Sequence, residues 1–239
     1  MNRLRMKQSA QLSVVVLCAL ALKLHYSTAS ADQLRWILAP TTVLVELFSG
    51  TSFEFESYAG YMSGDHRFLI TASCAGVNFL ITAFLMLSFR TLVQDRSKEV
   101  SWRFIPLYAG LAYVTTVVAN TVRICGALWL RSLPDEVSLL SGSQLHRVEG
   151  IVIYFGFLLL LFLLTEEISS THMSGFRRKI FFVLAVYYST TIIIPVINRG
   201  YRYQEFFEHF VIVLLLPLII SGLIIGLRSF STRMRSVMR

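Results

Sequence analysis

Charge is what this sequence has least of. Only 15% of its 239 residues are Asp, Glu, Lys or Arg, against 55% hydrophobic, and that is too little polar surface to cover a water-soluble globule of this size. The shortage excludes a soluble globular domain and leaves a polytopic membrane protein. Acidic residues are scarcer than basic ones, 14 against 22. The basic residues nevertheless form no strip interleaved with aromatics in a polar region, so nucleic acid is set aside as a partner. Cysteine is nearly absent. Cys18, Cys74 and Cys125 all fall in apolar runs and make no Cys-x-x-Cys pair, which argues against a disulfide framework and a zinc site. No cofactor or metal is expected.

What is abundant is uninterrupted apolar sequence. At about 20 residues per span, six runs stand out, roughly 12–26, 68–89, 104–130, 148–164, 180–197 and 207–227. The expected fold is all-α, a polytopic transmembrane helix bundle of about six to eight spans, forming a single integral membrane domain over 1–239. The first run follows Arg3, Arg5 and Lys7 and precedes the small residues Ala29, Ser30 and Ala31, as a secretory signal would. Because the remainder is itself embedded, it reads as a retained anchor. Residues 34–50 are broken by Pro40 and carry Glu46, which fits a re-entrant or interfacial helix at least as well as a full span.

Orientation follows from counting. With the N-terminus inside, the inner segments 1–11, 90–103, 165–179 and 228–239 hold 14 Lys and Arg, and the outer segments 27–67, 131–147 and 198–206 hold 6; Lys23 and Arg123 lie within spans. That split is a positive-inside signal. On this reading Cys74 lies six residues into an inward-running span, about 9 Å below its outer entrance. Asn120 and Arg123 lie in the outer third of the next span, and His146 ends the following outer loop. A Cys, an Arg and a His thus reach one layer at one membrane face.

Each has an ordinary reading by itself. Cys74, like Cys18 and Cys125, could be a small packing residue, Arg123 could snorkel, and His146 could sit among headgroups. Asn120 and Glu149 could tie helices together. The three together match one chemistry. A thiol is a weak nucleophile in an apolar site unless a cation stabilises the thiolate. A His can protonate a departing amine and take a proton from the next nucleophile, while Arg stays charged and can stabilise an oxyanion. The expected reaction is acyl transfer from a peptide through a thioester. His25 and His66 are rival bases by position. Glu149, three residues after His146, could orient the imidazole if the helix reaches back that far.

"SCAGVNFL", "ANTVRI" and "LHRVEGIVIYFG", in this order on successive spans, resemble the Cys, Arg and His motifs of the exosortase and archaeosortase family, most nearly its exosortase K subgroup. The likeness covers about residues 65–165. It implies a catalytic core there, with Cys74 as nucleophile, Arg123 as its electrostatic partner and His146 as general acid and base. Asn120 and Glu149 would be supporting residues. It further implies a multi-pass transpeptidase of the bacterial cell membrane, its site facing the periplasm or exterior. The partners would be membrane lipids and exported proteins that end in a short motif, a transmembrane helix and a basic tail. Ala75 stands where the family commonly has Ser after the Cys.

Two other classes compete. A transporter or channel would use Arg123, Glu46 and Glu149 to line a pathway, but no inverted repeat is visible and the polar residues gather at one face instead of mid-depth. A rhomboid-type serine protease would need a serine element facing a His on spans, and "SGSQLH" lies in a loop.

Overall fold

Long apolar runs become long helices, and the chain is mostly helical. The computed structural model describes residues 2–94, 100–131, 142–168, 173–193 and 206–237. Its helices are α1 (Asn2–Thr28), α2 (Arg35–Ser49), α3 (Val77–Gln94), α4 (Phe104–Arg131), α5 (Gly142–Ile168), α6 (Phe176–Tyr188) and α7 (Phe206–Val237). Three short strands, β1 (Phe53–Glu56), β2 (Gly60–Ser63) and β3 (Leu69–Ile70), lie between α2 and α3. Residues Met1–Phe157 form one compact unit and Leu158–Arg239 another, with α5 contributing to both.

Among the described residues five helical stretches are long and apolar enough to cross a membrane: Arg3–Thr28, Ala72–Val93, Phe104–Arg131, Arg147–Ile168 and Phe210–Phe230. That makes this a membrane protein, with fewer spans than the six to eight expected. The missing one is 180–197. There α6 has only 13 residues, about 20 Å against an apolar layer of about 30 Å. The hydroxyls of Ser189, Thr190 and Thr191 bond back to the carbonyls of Ala185, Val186 and Tyr187, where the backbone widens into a π-helical turn, Ser189–Ile193.

In the first unit α3 packs against α1 and α4 and is buried almost all round, with Val77, Phe79, Ala83, Met86 and Leu87 in the core. A helix with little solvent-facing surface of its own is a central one. The 15-residue α2 packs on α4. It buries Ile37, Leu38, Thr41, Thr42 and Val45, one helical face, while Val43, Leu47 and Phe48 point out. Trp36 stacks on Tyr113 at 5.9 Å, and Tyr113 Oη donates to the Trp36 carbonyl at 2.7 Å.

The sheet was not expected in an all-α chain. Its strands pair antiparallel in the order β1-β2-β3, with Phe53 opposite Ser63 and Tyr61 opposite Ile70. In "FEFE" the apolar and acidic residues alternate, which suits one buried and one exposed face. Tyr58, at φ 65°, turns β1 into β2, and its N–H donates to Asp32 Oδ2 at 2.7 Å. Gly60 (φ 128°) allows no side chain, because a Cβ there would strike the Ile70 carbonyl. Between β2 and β3 the Asp65 carboxylate accepts from Ser63 Oγ at 2.6 Å and from the Arg67 N–H at 3.2 Å. These bonds, that of Ser63 first, hold it below the usual carboxylate range.

In the second unit α6 packs on α7. Tyr188 Oη donates to the Leu214 carbonyl at 2.7 Å, and the Arg228 guanidinium lies 4.0 Å over Phe176. The fully buried Glu166 of α5 pairs with Lys179 of α6 at 2.7 Å and accepts from the Met173 N–H at 3.1 Å. Lys179→Met would strand that carboxylate out of water, at a cost of about 3 kcal/mol. Thermal unfolding in detergent is expected to show a clearly lower midpoint for Lys179→Met and almost none for Glu167→Ala, whose side chain is exposed; equal midpoints would remove the pair's structural role.

Candidate functional site

Cys74 does not sit inside an α-helix. The chain leaves β3 extended at Thr71, tightens into one 3-10 turn, Ala72–Ala75, passes through Gly76 at φ 70° and only then enters α3 at Val77. The expectation of a thiol six residues down a helix is therefore corrected: Cys74 lies on the turn that leads into α3. Gly76 is the cause, since its left-handed backbone separates the 3-10 turn from the helix. It also lets neighbours close in. A Cβ at position 76 would stand 3.2 Å from Thr116 Cγ2, 3.4 Å from Tyr154 Oη and 3.5 Å from Asn120 Cγ.

α4 brings the buried Asn120 and the half-buried Arg123 to this turn. Asn120 Nδ2 donates to the carbonyl of Cys74. Its Oδ1 accepts from Arg123 Nη1 at 3.3 Å and from Tyr154 Oη at 2.9 Å, and Arg123 Nη1 also donates to Tyr154 Oη at 3.2 Å. The Tyr154 ring is stacked on Phe79 of α3, with centroids 5.0 Å apart, and lies 5.6 Å from the guanidinium. Arg123 is thus held by groups from two helices, one of which also holds the Cys74 main chain. The half-buried thiol lies 3.8 Å from Thr71 Oγ1, which shares a 2.7 Å bond with Ser73 Oγ, and within electrostatic reach of Arg123.

α5 crosses α4 at small residues. The Cβ direction of Gly150 meets Arg123 Nε at 3.5 Å, and the Glu149 carboxylate fills the space that a Cβ on Gly126 would need. Glu149 is within electrostatic reach of Arg123. His146 belongs to α5, one turn before Gly150; its side chain lies outside the described residues. The helix does extend back over position 146, so 146 and 149 are three apart on continuous helix, and 146, 150 and 154 recur at intervals of four along one face.

α1 supplies a further edge. Lys23 Nζ donates to Asn78 Oδ1 at 2.7 Å and lies 5.6 Å from the Tyr26 ring. Tyr26 is within electrostatic reach of Cys74, Arg123 and Tyr154. Of the rival bases, His25 is exposed on α1 and His66 is exposed in the turn before β3 at φ 55°; among the described residues neither is hydrogen-bonded to Cys74. Glu46 is committed elsewhere, its Oε1 accepting from the Phe53 N–H at 2.7 Å. Among the described residues no group of three or more His, Cys, Asp or Glu could hold a metal ion.

Sequence reasoning brought Cys74, Asn120 and Arg123 to one level and missed Tyr154, Thr71, Lys23 and Tyr26 as neighbours. A tyrosine in an apolar run resembles packing. The four-residue spacing of Gly150 and Tyr154 on α5, set against Arg123 and Asn120 on α4, was the signal available for it. Compared with known proteins, the chain matches no family model, no curated protein and no solved structure.

Proposed function

We propose that the chain is a membrane-embedded cysteine peptidase or transpeptidase of the exosortase type. It would cleave a C-terminal sorting signal from exported proteins at the outer face of a bacterial cell membrane. The observation that carries this reading is the joint clamp of Asn120 on the Cys74 carbonyl and on the Arg123 guanidinium. One buried amide thus fixes the main chain that carries the thiol and the permanent cation beside it, and a cation near the thiol is what thiolate chemistry in an apolar setting requires. The outward placement rests on the Lys and Arg of the segments up to α6, 10 in 1–11, 90–103 and 165–179 against 4 in 27–67 and 131–147, a count that does not depend on whether 180–197 crosses and that favours the start of α3, the end of α4 and the start of α5 outside.

The reaction runs in two halves. The Cys74 thiolate, its proton passed to His146, attacks the scissile carbonyl; a C–S bond forms, and the oxyanion faces Arg123 and the main-chain N–H groups of the turn. The C–N bond breaks as the imidazolium of His146 protonates the departing amine, which leaves with the apolar helix and basic tail. An incoming amine or water then gives a proton to His146 and attacks the thioester, and the C–S bond breaks to return the thiolate. Glu149 supports the imidazole from one turn along α5.

A thioester is cleaved by neutral hydroxylamine, whereas an amide or thioether is not. Cells expressing the chain are expected to yield a higher-mass form carrying an exported protein on Cys74, collapsed by hydroxylamine and missing from Cys74→Ala. Two findings together would overturn the proposal: no such adduct in rapidly quenched cells, and identical exported-protein C-termini in cells with and without the chain.

A further inference from the structure

We infer that the free edge of β3 is the docking strand for the substrate, which adds to the sheet as an extended peptide beside Cys74; this deepens the peptidase reading and rests on it. In an antiparallel pair, residues alternate between bonding across the pair and pointing their N–H and C=O away. Ser63 N–H donates to the Phe68 carbonyl at 2.8 Å and Phe68 N–H returns to Ser63 Oγ at 2.9 Å, so residue 68 faces β2. The Ile70 carbonyl likewise faces Gly60 on β2. Leu69, between them and opposite Met62, must then direct its N–H and C=O to the other side, as must the N–H of Thr71, which is still extended.

Among the described residues no strand pairs with that side of β3, and neither the Leu69 N–H and C=O nor the Thr71 N–H has a partner there. The edge is bounded. At one end the Arg67 carbonyl is taken by Arg131 Nη1 at 2.7 Å. At the other the chain turns into Ala72–Ala75, whose Cys74 N–H bonds the Thr71 carbonyl at 2.9 Å. What remains open is one residue's full donor and acceptor pair plus one donor, ending three residues from the thiol.

The occupant this pattern suits is an extended main chain. Two bonds at Leu69 and one at Thr71 would align a short peptide with its carbonyls in register and carry the next peptide bond toward Cys74. Such pairing reads backbone, not side chains, so it would supply alignment common to every substrate and leave sequence choice to other contacts. An edge this short cannot hold a strand by itself, which matches a site that must release its product.

The test uses electrophiles of two sizes on the full-length protein in detergent micelles. The probes are chloroacetamide, a biotinylated pool of mixed-sequence tripeptidyl chloromethyl ketones, and the same pool N-methylated along its backbone. Each alkylates a thiolate with loss of chloride, and the rate of Cys74 labelling is read by mass spectrometry. Backbone pairing predicts that N-methylation slows the tripeptidyl pool about tenfold or more on the unaltered protein. Leu69→Pro removes the outward N–H without touching the β2 pairing, a place where an edge strand tolerates proline. It should slow the unmethylated pool about as much and erase the effect of methylation, with the chloroacetamide rate unchanged as the sign of an intact turn. Capture of Cys74 by both pools at one rate, in both proteins, overturns the docking edge and leaves the reactive thiol standing. Labelling by chloroacetamide with no capture by either pool overturns the edge and the peptidase reading together.

Discussion

Cys74→Ala is expected to stop processing altogether, with uncleaved exported proteins accumulating in the membrane complete with their C-terminal helix and basic tail. Loss of a nucleophile from an acyl-transfer site costs on the order of 10⁶ in turnover, so no residual signal should be visible. Cys74→Ser should come close to the same result, because an alcohol lacks thiolate character and is much harder to activate with this set of groups. The neighbouring hydroxyls of Thr71 and Ser73 can share a proton but cannot take one permanently. Cys18→Ala and Cys125→Ala, which alter an exposed position on α1 and a half-buried one on α4, should process normally. The measurement is the mass of exported proteins in cells holding equal amounts of each variant. A transporter would give the opposite pattern, with Cys74→Ser nearly silent. Normal processing by Cys74→Ala would end the enzyme reading.

The second large effect is expected at Arg123. Arg123→Lys keeps the charge and loses the fork. Nη1 divides its donation between Asn120 Oδ1 and Tyr154 Oη, while the guanidinium carbon lies 5.6 Å from the centre of the Tyr154 ring. An ammonium on a flexible stem cannot serve both the scaffold and the reacting atoms. Losing one well-placed donor at an oxyanion costs about 10²–10³ in turnover, and Arg123→Lys should fall in that range or below it. Tyr154→Phe removes one anchor and leaves the guanidinium itself, so it should be milder than Arg123→Lys. Arg123→Lys working at half the normal rate or better would show that charge alone suffices there.

The spans were readable because the thickness of the apolar layer fixes how long an uninterrupted run must be. The runs around Leu80, Val117, Phe155 and Leu216 fall in helices long enough to cross, whatever else happens nearby. Hydropathy says nothing about where a helix starts within such a run, which is why Cys74 was expected in α3 although Gly76 held the answer. The sheet was illegible for a related reason. "FEFE" and "GYMS" are too short to be told from loop, and their pairing depends on the close approach of Gly60 to Ile70, a contact between residues ten apart. At 180–197 the hydropathy suffices for a span, and the run of Ser189, Thr190 and Thr191 that turns the backbone is only mildly polar. The candidate residues Asn120 and Arg123 were readable as a pair because three positions on one helix are neighbours wherever the helix goes. Tyr154 needed the register of α4 against α5, which only the packing of Gly126 and Gly150 reveals.

The bond from Asn120 to residue 74 ends on the main-chain carbonyl, not on the sulfur. Every amino acid has that carbonyl, so the grip does not depend on which side chain it presents. Position 74 is in effect a socket: the scaffold fixes the place and the codon alone decides what stands in it. Ancestors or relatives with another residue there could keep the whole architecture while gaining or losing reactivity in one substitution, and an inert variant should still hold a bound peptide in place for study.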